Sequence, residues 1–509
     1  MRTRRASVVV VVVWSVAIAA VLVAATQVVT FRQAVIGRET LARVQARWAA
    51  RAGVEQMVAI MEFHLQNADP DDPMAVVRDM EEHAVGQVAT GSWDIRHFLD
   101  GIEWAGPLDE GAKLNINTAT RVQLLNLPGM TPDVVDAIVD WRDDNDEVEG
   151  LGAERDYYSN RSLGYRPRNG SFRSIAELEL VAGAWPENVR GEDWNLNGRL
   201  DPNEDDSTRS FPKDKPDGKL DAGWSSFLTA RSKQSQTSSA GETKLPLKGA
   251  DAESLTKRLG VSAEQAQAII TYGNQANARP EAFLSTPLSQ LAAGGGAASG
   301  RGQGMTGGAG GTGGGSMGGG RTGSGSSGAS TGSTRGGSGG SASVAGASGG
   351  KSPTGSGQSA TSGRSSAGRT AGATGGSGVP DLTPEQVRAV VRELTIDDFT
   401  KPVPGRMNIN TVPEAVLKEV LDMDPRMADA IIARRKSRPE GIASLADLAS
   451  MSGMNPQVLS QVATQFDVTS SVYTVTSRGR AASTGTEVEV EAVLDKSEFP
   501  VRITTYREQ

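Results

Sequence analysis

MRTRRASVVVVVVWSVAIAAVLVAATQVVT, residues 1–30, decides how the rest of the chain is arranged. From Val8 to Val29 only Ser15, Thr26 and Gln27 interrupt an apolar run that carries no charge. At about 1.5 Å rise per residue, a helix of this length crosses the roughly 30 Å hydrocarbon core of a bilayer. Arg2, Arg4 and Arg5 precede the run. Positive charge on that side predicts a cytoplasmic N-terminus, with everything after about Thr30 on the far side. A cleaved signal peptide has a shorter apolar core, about 7–15 residues, and a small-x-small box after it. Here the apolar pattern continues instead: Leu41, Val44, Trp48, Val54, Met57, Val58, Met61 and Leu65 recur mostly three and four apart. One helix is therefore expected to leave the membrane and turn amphipathic, with that stripe packed on a head domain.

The remaining length, within 509 residues, is enough for several domains. The absence of cysteine excludes disulfides, thiolate zinc sites and cysteine nucleophiles. His64, His83 and His97 show no metal-ligand spacing. A net charge of −8 argues against duplex nucleic acid as the main partner, because such binding rests on a basic surface. The serine-elbow pattern Gly314-Gly-Ser316-Met-Gly318 lies in low-complexity sequence, without the strand and helix that give it meaning. No other constellation suggests an enzyme.

Residues 293–379 are rich in Gly and Ser and almost free of large apolar side chains. Such a stretch cannot bury enough surface to offset its ordering entropy and is expected to be a disordered linker. Around it lie three copies of one pattern, starting at Lys113, Lys244 and Arg406. They align without gaps through Leu124, Leu255 and Leu417 to Ala137-Ile138, Ala268-Ile269 and Ala430-Ile431. Each reads as a short strand, a helix, a tight turn and a second helix, the outline of a helix-hairpin-helix unit. A further helix is expected from Ser174-Ile-Ala-Glu177 and from Ser444-Leu-Ala-Asp447. Val472–Ser477, Glu487–Leu494 and Val501–Tyr506 are β-rich, and Glu487-Val-Glu-Val-Glu491 alternates as a half-buried strand does. An antiparallel meander follows from these runs, with Gly101–Ala105 able to join it.

The sharpest chemical motif is Asp193-Trp-Asn195-Leu-Asn197-Gly198-Arg199-Leu-Asp201-Pro-Asn-Glu204. It fits the twelve-residue calcium loop: oxygens at positions 1, 3 and 5, Gly at 6, the Arg199 carbonyl at 7, Asp201 at 9 and a bidentate Glu204 at 12. Calcium takes six to eight hard oxygens, and this spacing supplies them. Asp217-Gly-Lys-Leu-Asp221 echoes the second half of the loop; it is a half-site completed by other carboxylates such as Asp205 or Asp206, or a plain turn. Asp140, Asp143, Asp144, Asp146 and Glu147 read as a solvated acidic face, with a metal role as the alternative.

The leader, the Asn115-Ile-Asn117-Thr118 run, Asp140-Trp141 with Asp143, Gly152-Ala-Glu154 with Tyr157-Tyr158, and Phe172–Leu178 resemble the K subunit of type II secretion, a minor pseudopilin. The resemblance implies cleavage by prepilin peptidase between Ala6 and Ser7, with Ala6 in place of the usual Gly. It also explains Val11, where most pilins carry a Glu: a subunit at the filament tip has no neighbour above to pair with a buried charge. By resemblance, the fold is α+β. A long transmembrane and amphipathic helix packs on an antiparallel pseudopilin-like sheet, with inserted all-α, SAM-like helix-hairpin-helix units. The expected organisation is a leader (1–6), membrane helix (7–30), amphipathic helix and first strands (31–112), first repeat with calcium loop (113–224), second repeat (225–292), linker (293–379), third repeat (380–466) and closing strands (467–509). The implied partners are the I and J pseudopilins and the inner membrane, with the bulk of the chain periplasmic, no enzymatic activity, and no nucleic acid. The alternative is a membrane-anchored DNA-binding protein of a competence pilus. Its hairpins would present backbone amides to phosphate through Gly-hydrophobic-Gly. Here the turns read Gly129-Met-Thr131, Gly260-Val-Ser262 and Asp422-Met-Asp424, and Arg434-Arg435 forms a small basic patch.

Overall fold

The apolar run and its continuation form one helix, α1 (Thr3–Gln66). The computed structural model describes residues 3–161, 164–294, 378–396, 399–451 and 453–508; apart from its ends, the expected linker at 293–379 lies outside the described residues. α1 is exposed from Val8 to Leu41, and that part is long and apolar enough to cross a membrane. From Ala42 onward it packs, but not wholly through the expected stripe. Val54, Met57 and Met61 are buried as read, whereas Leu41, Val44 and Trp48 face outward. Ala42, Ala46, Ala49 and Ala50 take their place. The reason is close approach: a Cβ on Gly479 would lie 2.0 Å from the Ala46 carbonyl oxygen, so only small side chains fit between helix and sheet there.

After α1 come α2 (Ala75–Glu82), β1 (Val85–Val88), β2 (Gly91–Leu99), β3 (Ile102–Ala105) and β4 (Leu108–Asp109). The chain then departs into three helical inserts. The first holds β5 (Leu114–Asn115), α3 (Arg121–Leu125), α4 (Pro132–Arg142), α5 (Arg155–Ser159), α6 (Pro186–Arg190) and β6 (Leu228–Thr229). The second holds β7 (Leu245–Pro246), α7 (Ala252–Leu259), α8 (Ala263–Gly273), α9 (Leu288–Ala292), α10 (Pro384–Glu393) and β8 (Leu394–Thr395). The third holds β9 (Met407–Asn408), a π-helical segment Val416–Val420, α11 (Pro425–Lys436), α12 (Pro456–Gln465) and β10 (Phe466–Asp467). The chain closes with β11 (Val472–Ala481), β12 (Glu487–Asp495) and β13 (Arg502–Glu508).

The main sheet runs β1-β2-β11-β12-β13, with β3 on β2 and β4 on β11, all antiparallel. β4 and β11 are neighbours, so every insert is spliced between two adjacent strands. One sheet face packs Ile95, Tyr473, Val475, Val490, Ala492 and Leu494 against α1. The other face is covered by the inserts. Glu489 and Glu491 are therefore 9% and 2% exposed, although their alternation with valine read as the solvent side of a half-buried strand.

Each insert is closed by a two-residue parallel pair: β5 with β6, β7 with β8 and β9 with β10. The repeat extends to single residues. Gly129, Gly260 and Asp422 stand at one offset and all have positive φ, 70°, 63° and 48°, at the turn between the two helices. Two residues on, Thr131, Ser262 and Asp424 are the N-caps of α4, α8 and α11. α10 and β8, read from sequence as part of the third repeat, pack in the core of the second with Leu247, Leu255 and Ile269. The third insert thus begins after Thr395. The first and third inserts share one continuous core.

A candidate cation-binding loop held against the sheet

α6 ends at Gly191, whose φ of 57° lets the chain turn sharply; a Cβ there would meet the Asp221 carbonyl oxygen at 2.1 Å. The turn delivers Asp193 into a buried loop in which side-chain oxygens accept from successive backbone N–H groups. Asp193 Oδ1 accepts from Asn197 N and its Oδ2 from Gly198 N, both at 3.0 Å. Asn195 Oδ1 accepts from Asn197 N at 2.9 Å and Asn197 Oδ1 from Arg199 N at 2.8 Å. Gly198 supplies the positive φ at the sixth position. The 3₁₀ turn Pro202–Glu204 brings Glu204 back across the loop, its two oxygens accepting from Trp194 N at 3.2 Å and Asp201 N at 3.1 Å.

Asp193 and Glu204 are buried, 3% and 1% exposed. Burial pushes the Asp193 carboxyl up to about 6, against the pull of the Gly198 and Asn197 amides and of Lys113. Burial, with the Asp193 and Asp201 charges beside it, pushes Glu204 up to about 8. Asp201 turns Oδ1 to Arg478 at 2.7 Å and accepts the Asn195 and Asn197 amides on Oδ2. The loop thus gathers hard oxygen donors around two buried carboxylates, Asp193 and Glu204, that form no ion pair with a described cationic side chain, and it fits a hard divalent cation. Asp193, Asn195, Asn197, the Arg199 carbonyl, Asp201 and Glu204 are the residues that would hold it.

The second half-site is organised differently. Asp217 and Asp221 are exposed and accept from Lys219 N and Gly223 N in their own turns. Asp205 accepts from Gly218 N at 3.1 Å, so it does reach this turn; Asp206 instead binds Ser210. Glu192 accepts from both Lys215 N and Asp221 N and holds the segment beside the main loop.

The acidic run divides. Asp144, Asp146 and Glu147 are exposed, but Asp140 and Asp143 turn inward and meet Glu154 within 4.8 Å. Asp140 Oδ2, Asp143 Oδ2 and both Glu154 oxygens are buried without a hydrogen-bond partner. Burial first, then the charges of Asp140, Asp143 and Asp146, push Glu154 up to about 7. Gly152 makes this possible, since a Cβ there would lie 2.1 Å from Asp140 Oδ2.

Of the Arg434-Arg435 pair, Arg435 is turned inward. Arg435 donates to the carbonyls of Ile409 and Val412 inside the third insert. Arg142, at the same offset in the first, donates to those of Ile116 and Ala119. In the second copy this position is Gly273, where a Cβ would meet the Leu247 carbonyl oxygen at 2.5 Å. The asparagines repeat as well: Asn117 exchanges two hydrogen bonds with Phe172, and Asn410 two with Ile442. Side chains that sequence reasoning missed are those on the covered sheet face: Asp94, Thr476, Arg478, Glu489 and Arg507 all reach the loop, directly or through one another. For Glu489 the signal was the charge alternating with valine in β12.

One long apolar helix laid on an antiparallel sheet, with helical inserts spliced between two adjacent strands, defines a pilin-like subunit with a membrane-anchor type of helix. Models of one family, described as Type II secretion system (T2SS), protein K, match residues 109–191 and 407–469, within the first and third inserts. The resemblance read from the sequence holds: over those residues the chain matches protein K of type II secretion, the K-type minor pseudopilin. Among solved structures it is similar to the crystal structure of the GspK-GspI-GspJ complex from the enterotoxigenic Escherichia coli type 2 secretion system. That similarity has 10% identity and a TM-score of 0.40, over 93% of this chain and 99% of that one. A likeness at that score adds nothing to the two family matches. None of the curated proteins compared matches this chain.

Proposed function

We propose that the chain is a non-enzymatic minor pseudopilin that sits at the tip of a type II secretion pseudopilus and assists export across the outer membrane. The observation that carries this reading is the pair of protein K matches on two inserts of a head borne by an apolar helix. Prepilin peptidase would cut between Ala6 and Ser7, leaving α1 in the inner membrane with the head in the periplasm. Val11 in place of a Glu fits a subunit with no neighbour above it. The I and J pseudopilins would be its partners, and the three strand–helix–turn–helix repeats are read as helix-hairpin-helix units serving as scaffold. With Arg435 turned inward and Asp422 and Asp424 at the third turn, phosphate binding has little support. The Asp193–Glu204 loop would bind calcium; the Asp217/Asp221 turn would do so only with Asp205. The reading is tested by co-purifying the head, from residue 31, with the matching I and J heads. A stable ternary complex and no homopolymer is the expected result; filaments of this chain alone would overturn the tip position. N-terminal sequencing of membrane-extracted protein should begin at Ser7, and a start near residue 30 would mean a conventional signal peptide.

A further inference from the structure

The calcium-type loop is bonded to four strands of the pilin-like sheet, and it uses different atoms for the two jobs. Asn197 directs Oδ1 into the loop, while its Nδ2 donates to Glu489 Oε1 on β12 at 2.9 Å and its carbonyl accepts from the Thr476 hydroxyl on β11 at 2.9 Å. Asn195 directs Oδ1 inward, while its carbonyl accepts from Arg507 Nη2 on β13 at 3.0 Å. Asp201 offers Oδ2 to the loop and Oδ1 to Arg478 on β11. The Gly198 carbonyl accepts from Phe98 N on β2 at 2.7 Å. Arg199, whose carbonyl is the seventh-position ligand, sends its side chain to the carbonyls of Asp94 and Thr476.

We infer that the loop is a cation-dependent latch, in which calcium bound on the inner oxygens fixes the outer atoms and so ties the first insert to β2, β11, β12 and β13. The inference rests on the calcium reading of the loop and goes beyond it by naming what the cation controls. The physical basis is shared side chains: ordering one end of Asn197 or Asp201 orders the other, so the strand contacts form without a second entropic cost. β13 is where the effect matters most. It is the last strand of the sheet, all its residues are exposed, and Arg507 is a side chain it sends to both the loop and Glu491. A sheet edge is a surface for pairing with another chain, and its order sets how readily it pairs.

The test uses the full chain in detergent, treated with chelator, then followed by calcium titration calorimetry and by hydrogen exchange with and without calcium. Calcium should bind and slow exchange about tenfold or more in 193–204 and in strand residues of 91–99, 472–481, 487–495 and 502–508. In the double variant Thr476→Val/Arg507→Met, neither change touches a ligand oxygen. It should still bind calcium and protect 193–204, while protection of 472–481 and 502–508 is largely lost. Asn197→Asp, which keeps a ligand oxygen but sets a carboxylate against Glu489, should bind calcium and protect 193–204 while losing protection of 487–495, and serves if the double variant misfolds. If calcium binds yet strand exchange is unchanged, or if the variants keep full strand protection, the latch is refuted and the calcium reading stands. No binding at millimolar calcium refutes both.

Discussion

Glu204 holds both its oxygens on backbone amides in a buried site beside Asp193 and Asp201, and burial with those neighbouring charges raises its proton affinity. Its carboxyl, near 8 in the folded chain, lies above the ordinary value of 4.5, and Asp193, near 6, lies above 3.8. Between those values the native state binds more protons than the unfolded chain, so stability falls as pH rises through the window. Without metal, the melting temperature of the head should therefore drop between about pH 5 and pH 8.5, and millimolar calcium should remove the drop. Glu204→Ala should abolish the calcium effect, whereas Asp217→Ala should matter only if the second half-site is real. Scanning calorimetry in chelator and in calcium reads both; a calcium response intact in the Glu204 variant would refute the assignment. Glu154, near 7 with two unpartnered oxygens, makes a separate contribution of the same sign. Glu154→Gln should raise the midpoint in chelator at pH 8 and leave it almost unchanged at pH 5. Arg142 is the opposite kind of residue. Its fork satisfies the carbonyls of Ile116 and Ala119. Arg142→Met should cost about 1–3 kcal/mol for the acceptors left unmet. At roughly 2–4 °C per kcal/mol, thermal melting will show it.

Among the elements, α1 and β11 illustrate what a sequence pattern can and cannot convey. Gly479 allows the helix backbone to lie directly on the strand, so Gly479→Ala or Ala46→Leu forces the two apart and should destabilise the head by about 1–3 kcal/mol. Trp48→Ala, on the outward face of the same helix, should change stability by less than about 0.5 kcal/mol, read by the same denaturant titration. The strands themselves were legible, because β-branched residues alternating over 472–506 admit little else. The face of α1 was only half legible. Alanine carries a weak apolar signal, and its partner glycine stands hundreds of residues away in the chain. The same limit applies to β12: alternation separates two faces but is silent on what covers the second, so Glu489 and Glu491 read as solvated when they are buried among Arg231, Arg478 and Arg507. The turn of the loop, with Gly198 at positive φ and Glu204 folded back across it, was legible because its spacing is local. Its attachment to the sheet was not, since that depends on where the splice between β4 and β11 brings the first insert.

At the scale of the whole molecule, the chain leaves a sheet at β4, builds three closed inserts and returns at β11 beside the strand it left. Each insert is fastened by its own parallel pair, so a long interruption inside one of them need not disturb the others. The Gly/Ser-rich stretch is such an interruption, falling between α9 and α10 of the second insert. The described residues on either side of it are in contact: Ser289 donates from both its backbone N–H and its hydroxyl to Asp381 Oδ1, at 3.1 and 3.0 Å. Leu288 and Leu291 from one side and Val390 and Leu394 from the other share one core. The two ends are thus held by packing, and the sequence between them has only to return. Replacing residues 295–377 by a Gly/Ser linker of about ten residues should leave the head folded. It should raise stability slightly, because closing a loop costs about 0.6 kcal/mol more for each doubling of its length. About three doublings are removed, so the expected gain is on the order of 2 kcal/mol, read as a shift in the denaturant midpoint with an unchanged slope. A lower midpoint, or loss of the cooperative transition, would mean that the Gly/Ser-rich stretch contributes contacts of its own to the second insert.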